Sequence, residues 1–291
     1  MKNLSITEKY RPKNLAALRG HARIVAMLKS FTKKPCSKAF LFSGPAGTGK
    51  TSAAYAIAGD LGCDFSATPK ECGGVFELAS GELTADNVRE MFRTSLAYRP
   101  FYGSGWKVLI ANEADNMSTQ AQFVLLDILE NLPPMTVVVF TTNDVEKLPA
   151  RFRQRCESHV FKTPARGFEE PASAAELAAQ ALIDDVWRAE LGHNHSPRLD
   201  ELDGWRDGGM ISFRAVLSAL DPMIRAQREI DAEQLASAKA ETAAMVPQVE
   251  TTAETPAPRK RVKAGELMAR IQIAIAAGDY ETARQLEALA V

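Results

Sequence analysis

Three apolar runs in the first half of the chain predict the strands of one buried sheet. They cover residues 39–42, 106–111 and 136–140. Each run ends at a tip of glycine or polar residues. Strands that are apolar along their length and end in polar tips are typical of a parallel sheet, whose chemistry lies at the carboxyl ends of the strands. The pattern therefore predicts an α/β fold.

Two segments between these runs carry helical signals. Residues 51–58 follow the first run and its glycine-rich turn and predict a helix. Residues 118–131 place apolar side chains at helical spacing, namely Ala121, Val124, Leu125, Ile128 and Leu129. Pro133 and Pro134 then end this second helix.

The turn after the first run carries the most specific chemical signal. Residues 44–51 read GPAGTGKT and match the phosphate-binding pattern G-x-x-x-x-G-K-[ST]. In such a loop, glycines let backbone N–H groups surround the phosphates, the lysine supplies a positive charge, and the hydroxyl is placed for Mg²⁺. The positive N-terminal end of the next helix also faces the anion. The predicted nucleotide-binding residues are Gly44, Pro45, Ala46, Gly47, Thr48, Gly49, Lys50, Thr51 and Ser52, with Lys50 also catalytic and Thr51 also a metal ligand.

The tip of the second run carries the next candidates, Asn112 and Glu113. At this place nucleotide hydrolases carry an acid pair: the first carboxylate orients Mg²⁺, and the second polarises the attacking water. Asn112 offers an oxygen to the metal but no negative charge, and Glu113 is the candidate catalytic base. The alternative is that both residues cap the next helix, although Asp115 and Ser118 could do so on their own.

Composition limits the classes of function. The 291 residues predict two domains, and 46% apolar and 24% charged residues are ordinary for a globular protein. A net charge of −1 gives no global signal for nucleic acid. No apolar run approaches 18 residues and no signal-peptide core follows the first residues, so we expect a cytoplasmic protein without membrane association. The four cysteines form no C-x-x-C pair, so we expect free thiols and no zinc site.

With these motifs in place, the sequence resembles the AAA+ ATPase subunits of DNA sliding-clamp loaders. This family includes the replication factor C small subunits, the bacterial polymerase III gamma and delta-prime subunits, and phage relatives. The matching segments are EKYRP at 8–12, YRP at 98–100, GWKV at 105–108, LLDILE at 125–130, TND at 142–144 and KLP at 147–149.

The resemblance implies roles for further residues. Tyr10, Arg11 and Pro12 match the adenine-pocket segment, and Asn143 matches the sensor 1 residue that holds the attacking water. Arg155 matches an arginine that reaches into a neighbouring subunit's site, although Gln154 replaces the usual serine before it. Arg214 matches the sensor 2 arginine on the γ-phosphate, although Ile211 stands in place of a glycine. A surface ion pair for Arg155 and a solvated helix position for Arg214 are the alternatives.

The resemblance also implies an architecture. We expect a three-layer parallel-sheet AAA+ core at 1–163 and a small helical lid with sensor 2 at 164–222. A helix and proline-rich linker at 223–263 would lead to a helical hairpin at 264–291. The family's helical collar is not expected, because the 70 residues after Asp221 are too few and too polar. Cys63 and Cys72 alone do not make the zinc module of bacterial relatives.

The function implied is an ATP-driven clamp-loader subunit in DNA replication, with ATP and Mg²⁺ as cofactors. Its partners would be other clamp-loader subunits, a sliding clamp and primer-template DNA. The candidate DNA-facing residues are Arg89, Arg93 and Arg99. Two alternatives remain: a nucleotide-binding structural subunit that does not hydrolyse ATP, favoured by Asn112, and another AAA+ DNA machine such as a helicase loader, favoured by the missing collar.

Overall fold

A computed structural model describes residues 5–163, 173–192, 195–207 and 209–245. The chain divides into two compact units, residues 1–235 and residues 236–291. The sheet and the helical residues up to 235 belong to the first unit. Among the described residues, no helix is both long and apolar enough to span a membrane. The predicted linker and hairpin, at 246–263 and 264–291, lie outside the described residues.

A five-stranded parallel sheet forms the centre of the first unit. Its strands are β1 (Lys38–Ser43), β2 (Val75–Leu78), β3 (Lys107–Ala111), β4 (Thr136–Thr142) and β5 (Glu157–Val160). The spatial order is β2-β3-β4-β1-β5, and every neighbouring pair is parallel. The three predicted strands are the three central ones, whereas β2 and β5 add the two edges. The carboxyl ends of β3, β4 and β1 therefore lie side by side.

Helices alternate with these strands along the chain. They are α1 (Ile6–Lys9), α2 (Ala22–Lys33), α3 (Lys50–Asp60), α4 (Ala85–Arg93), α5 (Thr119–Glu130) and α6 (Ala150–Arg153). Short 3₁₀ helices cover Lys70–Gly73, Ser80–Glu82, Ala114–Asn116 and Val145–Lys147. The two helices predicted from the sequence are α3 and α5. Ser118 caps α5 by accepting a hydrogen bond from the Ala121 amide at 3.2 Å.

Side chains of the central strands alternate between two apolar clusters, one on each face of the sheet. On β1, Phe40 and Phe42 pack with α2 and α3, whereas Ala39 and Leu41 pack with α4 and α5. The period of two in a strand produces this division. Burial of both faces explains why the central strands read as continuous apolar runs. The predicted three-layer α/β core is confirmed.

A helical lid follows the core. It contains α7 (Ala174–Leu191), a 3₁₀ helix at Leu199–Glu201, a small antiparallel pair of β6 (Arg206–Asp207) and β7 (Met210–Ile211), and the long helix α8 (Phe213–Met245). A third apolar cluster joins α7 and α8, and Ile6 of α1 belongs to it. The end of the lid predicted at 164–222 and the helix predicted at the start of 223–263 form one helix, α8, which continues through Pro222.

The central position of β1 generates a stability prediction. Leu41 is fully buried, and β1 pairs with strands on both sides. We expect Leu41→Ala to lower the free energy of unfolding by about 2–5 kcal/mol, because a cavity would remain in the core. Leu177→Ala is the matched control, since Leu177 is 62% exposed on α7. Urea denaturation measures both variants. Equal losses of stability would contradict the position assigned to β1.

Candidate nucleotide-binding site

The phosphate-binding loop is a tight connection between β1 and α3. Gly44 follows the last residue of β1 with φ of +140°. A Cβ built on Gly44 would lie 2.2 Å from the backbone oxygen of Phe161, so only glycine fits there. Gly49 adopts a left-handed conformation with φ of +100° directly before α3. The chain thus reverses direction within a few residues. The amino end of α3 faces the space that the loop encloses.

Lys50 is the first residue of α3, at the end of this loop, and it is buried. Its Nζ donates hydrogen bonds to the carbonyl oxygens of Gly44 at 2.6 Å and Pro45 at 2.7 Å. It also donates to Oδ1 of Asn143 at 2.9 Å. The predicted lysine, at the start of α3, and the predicted sensor 1 residue, directly after β4, are therefore in direct contact.

Burial alters the protonation of Lys50. Loss of hydration lowers the pKa of Lys50 to about 8, and repulsion from Arg214 contributes in the same direction. Asp115 and Glu113 oppose the shift through attraction. A charged lysine in such a position gains an anionic partner when phosphates bind, which favours its protonated form.

Asn112 is the centre of the candidate metal site. Its Oδ1 accepts hydrogen bonds from the hydroxyls of Thr51 at 3.0 Å and Thr141 at 3.3 Å. Its Nδ2 donates to Oε1 of Glu77 at 2.7 Å. The two predicted metal ligands, Thr51 and Asn112, thus lie together.

The chemistry of this donor set fits Mg²⁺. Hydroxyl, amide and carboxylate oxygens are the ligands that Mg²⁺ prefers, with waters and substrate phosphates completing its shell. The described part of the chain holds no group of three or more His, Cys, Asp or Glu side chains able to bind a metal.

Glu113 occupies a strained backbone position beside Asn112. Its φ is +54°, in the left-handed region that non-glycine residues rarely adopt. The Glu113 amide donates to the hydroxyl of Thr141 at 3.3 Å, and Oε2 accepts from Asn116 at 3.3 Å. Its side chain is exposed to the cavity described next. Since Ser118 caps α5, Glu113 is not needed as a cap.

Most of the predicted site residues line one cavity of about 520 Å³. It lies between the sheet edge and the start of α8. Its lining includes the predicted residues Arg11, Ala46, Gly47, Gly49, Lys50, Thr51, Ser52, Asn112, Glu113, Asn143 and Arg214. Sequence motifs more than 160 positions apart along the chain, from Ala46 to Arg214, therefore meet in one place.

A second cavity of about 400 Å³ adjoins the first. The two share Thr7, Arg11, Gly49, Ser52, Phe213 and Leu217 in their linings. The second cavity is lined by the predicted residues Tyr10 and Pro12 and by apolar side chains of the lid, Leu182 and Val186. Its wall is therefore shared between the N-terminal segment and the lid.

Glu190 of α7 connects that N-terminal segment to the lid. The Tyr10 hydroxyl donates to Glu190 Oε1 at 2.7 Å, and Lys9 Nζ donates to the same oxygen at 2.6 Å. Arg228 of α8 forms an ion pair with the other carboxylate oxygen. Burial and the hydrogen bond to Glu190 raise the pKa of Tyr10, so its phenol stays protonated. Sequence reasoning did not identify Glu190.

His21 contacts the phosphate-binding loop and was not predicted as a site residue. Its Nε2 donates to the carbonyl oxygen of Thr48 at 2.7 Å. Burial lowers the pKa of His21 below its ordinary value. The ring is neutral at pH 7, and it packs against Phe161 with the ring centres 4.7 Å apart. The contact fixes the middle of the phosphate-binding loop.

Arg155 lies outside both cavities. It forms an ion pair with Glu130 at the end of α5, and its side chain is 32% exposed. The ion pair considered from the sequence is therefore present within the chain. The predicted role of Arg155 in a neighbouring subunit remains a prediction.

The three candidate DNA-facing arginines do not share one surface cavity. Arg89 and Arg93 line a cavity of about 610 Å³ between α4 and α5. Arg89 also pairs with Asp86 at 3.1 Å. Arg99 instead donates to the carbonyl oxygen of Ser104 at 3.4 Å, in the loop before β3.

The pKa of Lys50 generates a pH prediction. Below about pH 8 the lysine is charged and attracts phosphate, whereas at higher pH it must first take up a proton. ATP affinity measured in EDTA should fall as the pH rises above 8, by up to roughly tenfold per unit. Lys50→Arg is the control, because guanidinium stays charged beyond pH 12 or so. Identical profiles for both proteins would exclude Lys50 as the titrating group.

Comparison with known proteins agrees with this geometry. A family model described as "ATPase family associated with various cellular activities (AAA)" matches residues 40–164. A replication factor C small subunit of Haloarcula marismortui is 32% identical over 204 residues, covering 70% of this chain and 58% of that protein. The small subunit of Thermoplasma volcanium is 37% identical over 143 residues, covering 49% of this chain and 43% of that protein.

Replication factor C subunit 3 of Blastobotrys adeninivorans is 33% identical over 161 residues, covering 55% of this chain and 46% of that protein. The chain spans about half the length of the curated relatives it matches. These matches confirm the predicted resemblance: residues 40–164 match the model of the AAA ATPase family, and the chain is similar to replication factor C small subunits.

Proposed function

We propose that this chain is an ATPase subunit of a DNA sliding-clamp loader. The observation that carries the proposal is the cavity between core and lid, which brings Lys50, Thr51, Glu113, Asn143 and Arg214 together. A lysine, a hydroxyl, a carboxylate, an amide and an arginine are the groups that phosphoryl-transfer sites use to bind phosphates, metal and an attacking water. The relationship to replication factor C small subunits supports the same function.

The two adjoining cavities suggest how ATP would bind. The triphosphate would occupy the cavity that contains the phosphate-binding loop, where Lys50 and Arg214 supply positive charge. The base would enter the second cavity, against Tyr10, Pro12 and the apolar side chains of α7. Thr51 and Asn112 would hold Mg²⁺, which when bound neutralises charge on the phosphates.

Hydrolysis would depend on the pair Glu113 and Asn143. Glu113 is exposed to the cavity and could accept a proton from the attacking water as general base. Asn143 lies within hydrogen-bond distance of Lys50, at the end of β4, and would orient that water near the terminal phosphate. Arg214 at the start of α8 would contact the same phosphate from the lid. ATP would thereby link core and lid.

Full activity would require assembly with other subunits. Arg155 lies outside the cavities of its own chain, and it would have to leave its ion pair with Glu130 to complete a site on a neighbour. An arginine supplied across an interface stabilises the charge that develops in the transition state. We propose that ATP-bound subunits together open a sliding clamp and hold primer-template DNA, and that hydrolysis releases both.

A second candidate function is a structural subunit that binds ATP without hydrolysing it. Asn112 favours this candidate, because an amide in place of a carboxylate removes one negative charge from the metal site. Steady-state ATPase assays with and without primed DNA and the cognate clamp separate the two. Stimulation by both ligands supports the clamp loader. ATP binding without hydrolysis under every condition supports the structural subunit. ATP hydrolysis at a rate that does not change when the clamp is added supports a different AAA+ machine.

The position of Arg155 generates the sharpest functional prediction. Arg155→Ala should leave ATP binding nearly unchanged while hydrolysis falls by roughly 10³-fold, the usual contribution of an arginine supplied in trans. Mixing this variant with Lys50→Ala protein should restore part of the activity, because each supplies the group that the other lacks.

Arg153→Ala is the matched control. Arg153 is two positions away and pairs with Glu146 at 3.0 Å, so losing its charge should change hydrolysis little. DNA-stimulated turnover by Arg155→Ala at the rate of the unaltered protein would rule out the trans role. A loss shared equally by both variants would indicate a general effect of charge.

A further inference from the structure

Glu77 is an acidic residue at an unusual place in the sheet. It is the third residue of β2, and its side chain is exposed while the neighbouring Phe76 and Leu78 are buried. Val75, two positions earlier, packs in the apolar cluster on the α3 face of the sheet. Alternation in a strand places Glu77 on that same face. The side chain lines the cavity assigned to the triphosphate.

Both oxygens of this carboxylate have a fixed partner. Oε1 accepts a hydrogen bond from Asn112 Nδ2 at 2.7 Å, and Oε2 accepts from the Tyr55 hydroxyl at 2.5 Å. Tyr55 is buried on α3, and burial together with Glu77 raises the pKa of its phenol. The phenol therefore stays protonated and continues to donate. Tyr55 holds the carboxylate in position from the side opposite Asn112.

These contacts orient the amide of Asn112. An asparagine side chain can exchange its oxygen and nitrogen by turning over, and its partners decide which way it points. Glu77 only accepts hydrogen bonds when ionised, so it selects the Nδ2 side. The Oδ1 side is thereby directed toward the hydroxyl of Thr51, at 3.0 Å. Thr51 is the other proposed metal ligand.

Glu77 also places a negative charge next to the neutral Asn112. An ionised carboxylate has about four lone-pair positions, and Asn112 and Tyr55 occupy two of them. The other positions can accept hydrogen bonds from metal-bound water, as carboxylates around metal sites do. Glu113 is the other carboxylate beside Asn112, and it is proposed as the catalytic base.

We infer that Glu77 is a positioning residue of the Mg²⁺ site: it supplies the negative charge that Asn112 lacks and directs the Asn112 carbonyl oxygen toward the metal. This inference rests on the proposed function, because it requires a site for Mg²⁺ and ATP. It also explains why the amide at position 112 is tolerated. The negative charge that such sites carry at the end of β3 lies here on Glu77 of the adjoining strand β2. Its Oε1 is 2.7 Å from Nδ2 of Asn112.

A carboxylate at position 112 would conflict with this arrangement. Asn112→Asp alone would place two carboxylates within hydrogen-bond distance and would remove the N–H that now donates to Glu77. Asn112→Asp combined with Glu77→Gln exchanges the charge and the amide between the two positions. The exchange keeps one negative charge and one N–H···O hydrogen bond.

The test measures binding of a fluorescent ATP analogue in EDTA and over a Mg²⁺ titration. Glu77→Gln should bind the analogue in EDTA at least as well as the unaltered protein, because a negative charge leaves the phosphate cavity, while its apparent Mg²⁺ affinity falls by roughly 10-fold or more. Tyr55→Phe should give a smaller loss, because the charge remains but is less well oriented. The exchanged double variant should recover most of the Mg²⁺ affinity lost in Glu77→Gln.

Glu71→Gln is the matched control, since Glu71 is exposed and lies outside the cavity lining. It should leave Mg²⁺ affinity unchanged. Unchanged Mg²⁺ dependence in Glu77→Gln would overturn the inference, and so would failure of the double variant to exceed Glu77→Gln alone. Failure of the unaltered protein to bind ATP would instead overturn the proposed function, which keeps the two outcomes distinct.

Discussion

The structure depends on one constraint, the side-by-side alignment of the carboxyl ends of three parallel strands. Ser43 pairs with Thr142, and Ala111 pairs with Phe140, so the next residues along each strand meet at one edge of the sheet. This alignment is what brings Lys50 within hydrogen-bond distance of Asn143, and Thr51 within hydrogen-bond distance of Asn112. A shift of one residue in any pairing would move side chains of that strand from one buried cluster to the other and would separate these strand ends. The stability of the core and the geometry of the site thus have the same origin.

The lid supplies the second wall of the site, and buried polar contacts connect it to the core. The Glu190 side chain is only 5% exposed and has three partners. They are Lys9 of α1, Tyr10 directly after α1, and Arg228 of α8. Removing one partner would leave a buried carboxylate less well compensated, which is more costly than losing an exposed ion pair. Because Tyr10 lines the proposed base pocket and also donates to Glu190, nucleotide binding and lid position would be coupled through one side chain.

The sequence predicted the centre of this protein better than its edges. Strands β1, β3 and β4 were predicted because both faces are buried and they read as apolar runs, whereas β2 and β5 were missed because they are short and carry exposed Glu77 and Val160. The motif residues were predicted because phosphate chemistry requires a particular local spacing. His21, Glu77 and Glu190 were not, because their roles come from partners 27, 35 and 180 positions away in the chain. No local pattern specifies contacts of that kind.

Hydrogen exchange of the intact chain, with and without ATP and Mg²⁺, tests the central claim most directly. The claim is that the backbone of residues 44–52 surrounds the phosphates and that the lid contributes Arg214 to the same ligand. We predict slower amide exchange in residues 44–52, at 112–113 and at the start of α8 when ATP is bound, with little change in the loop at 98–105. Saturating ATP that leaves exchange in residues 44–52 unaltered would contradict the account.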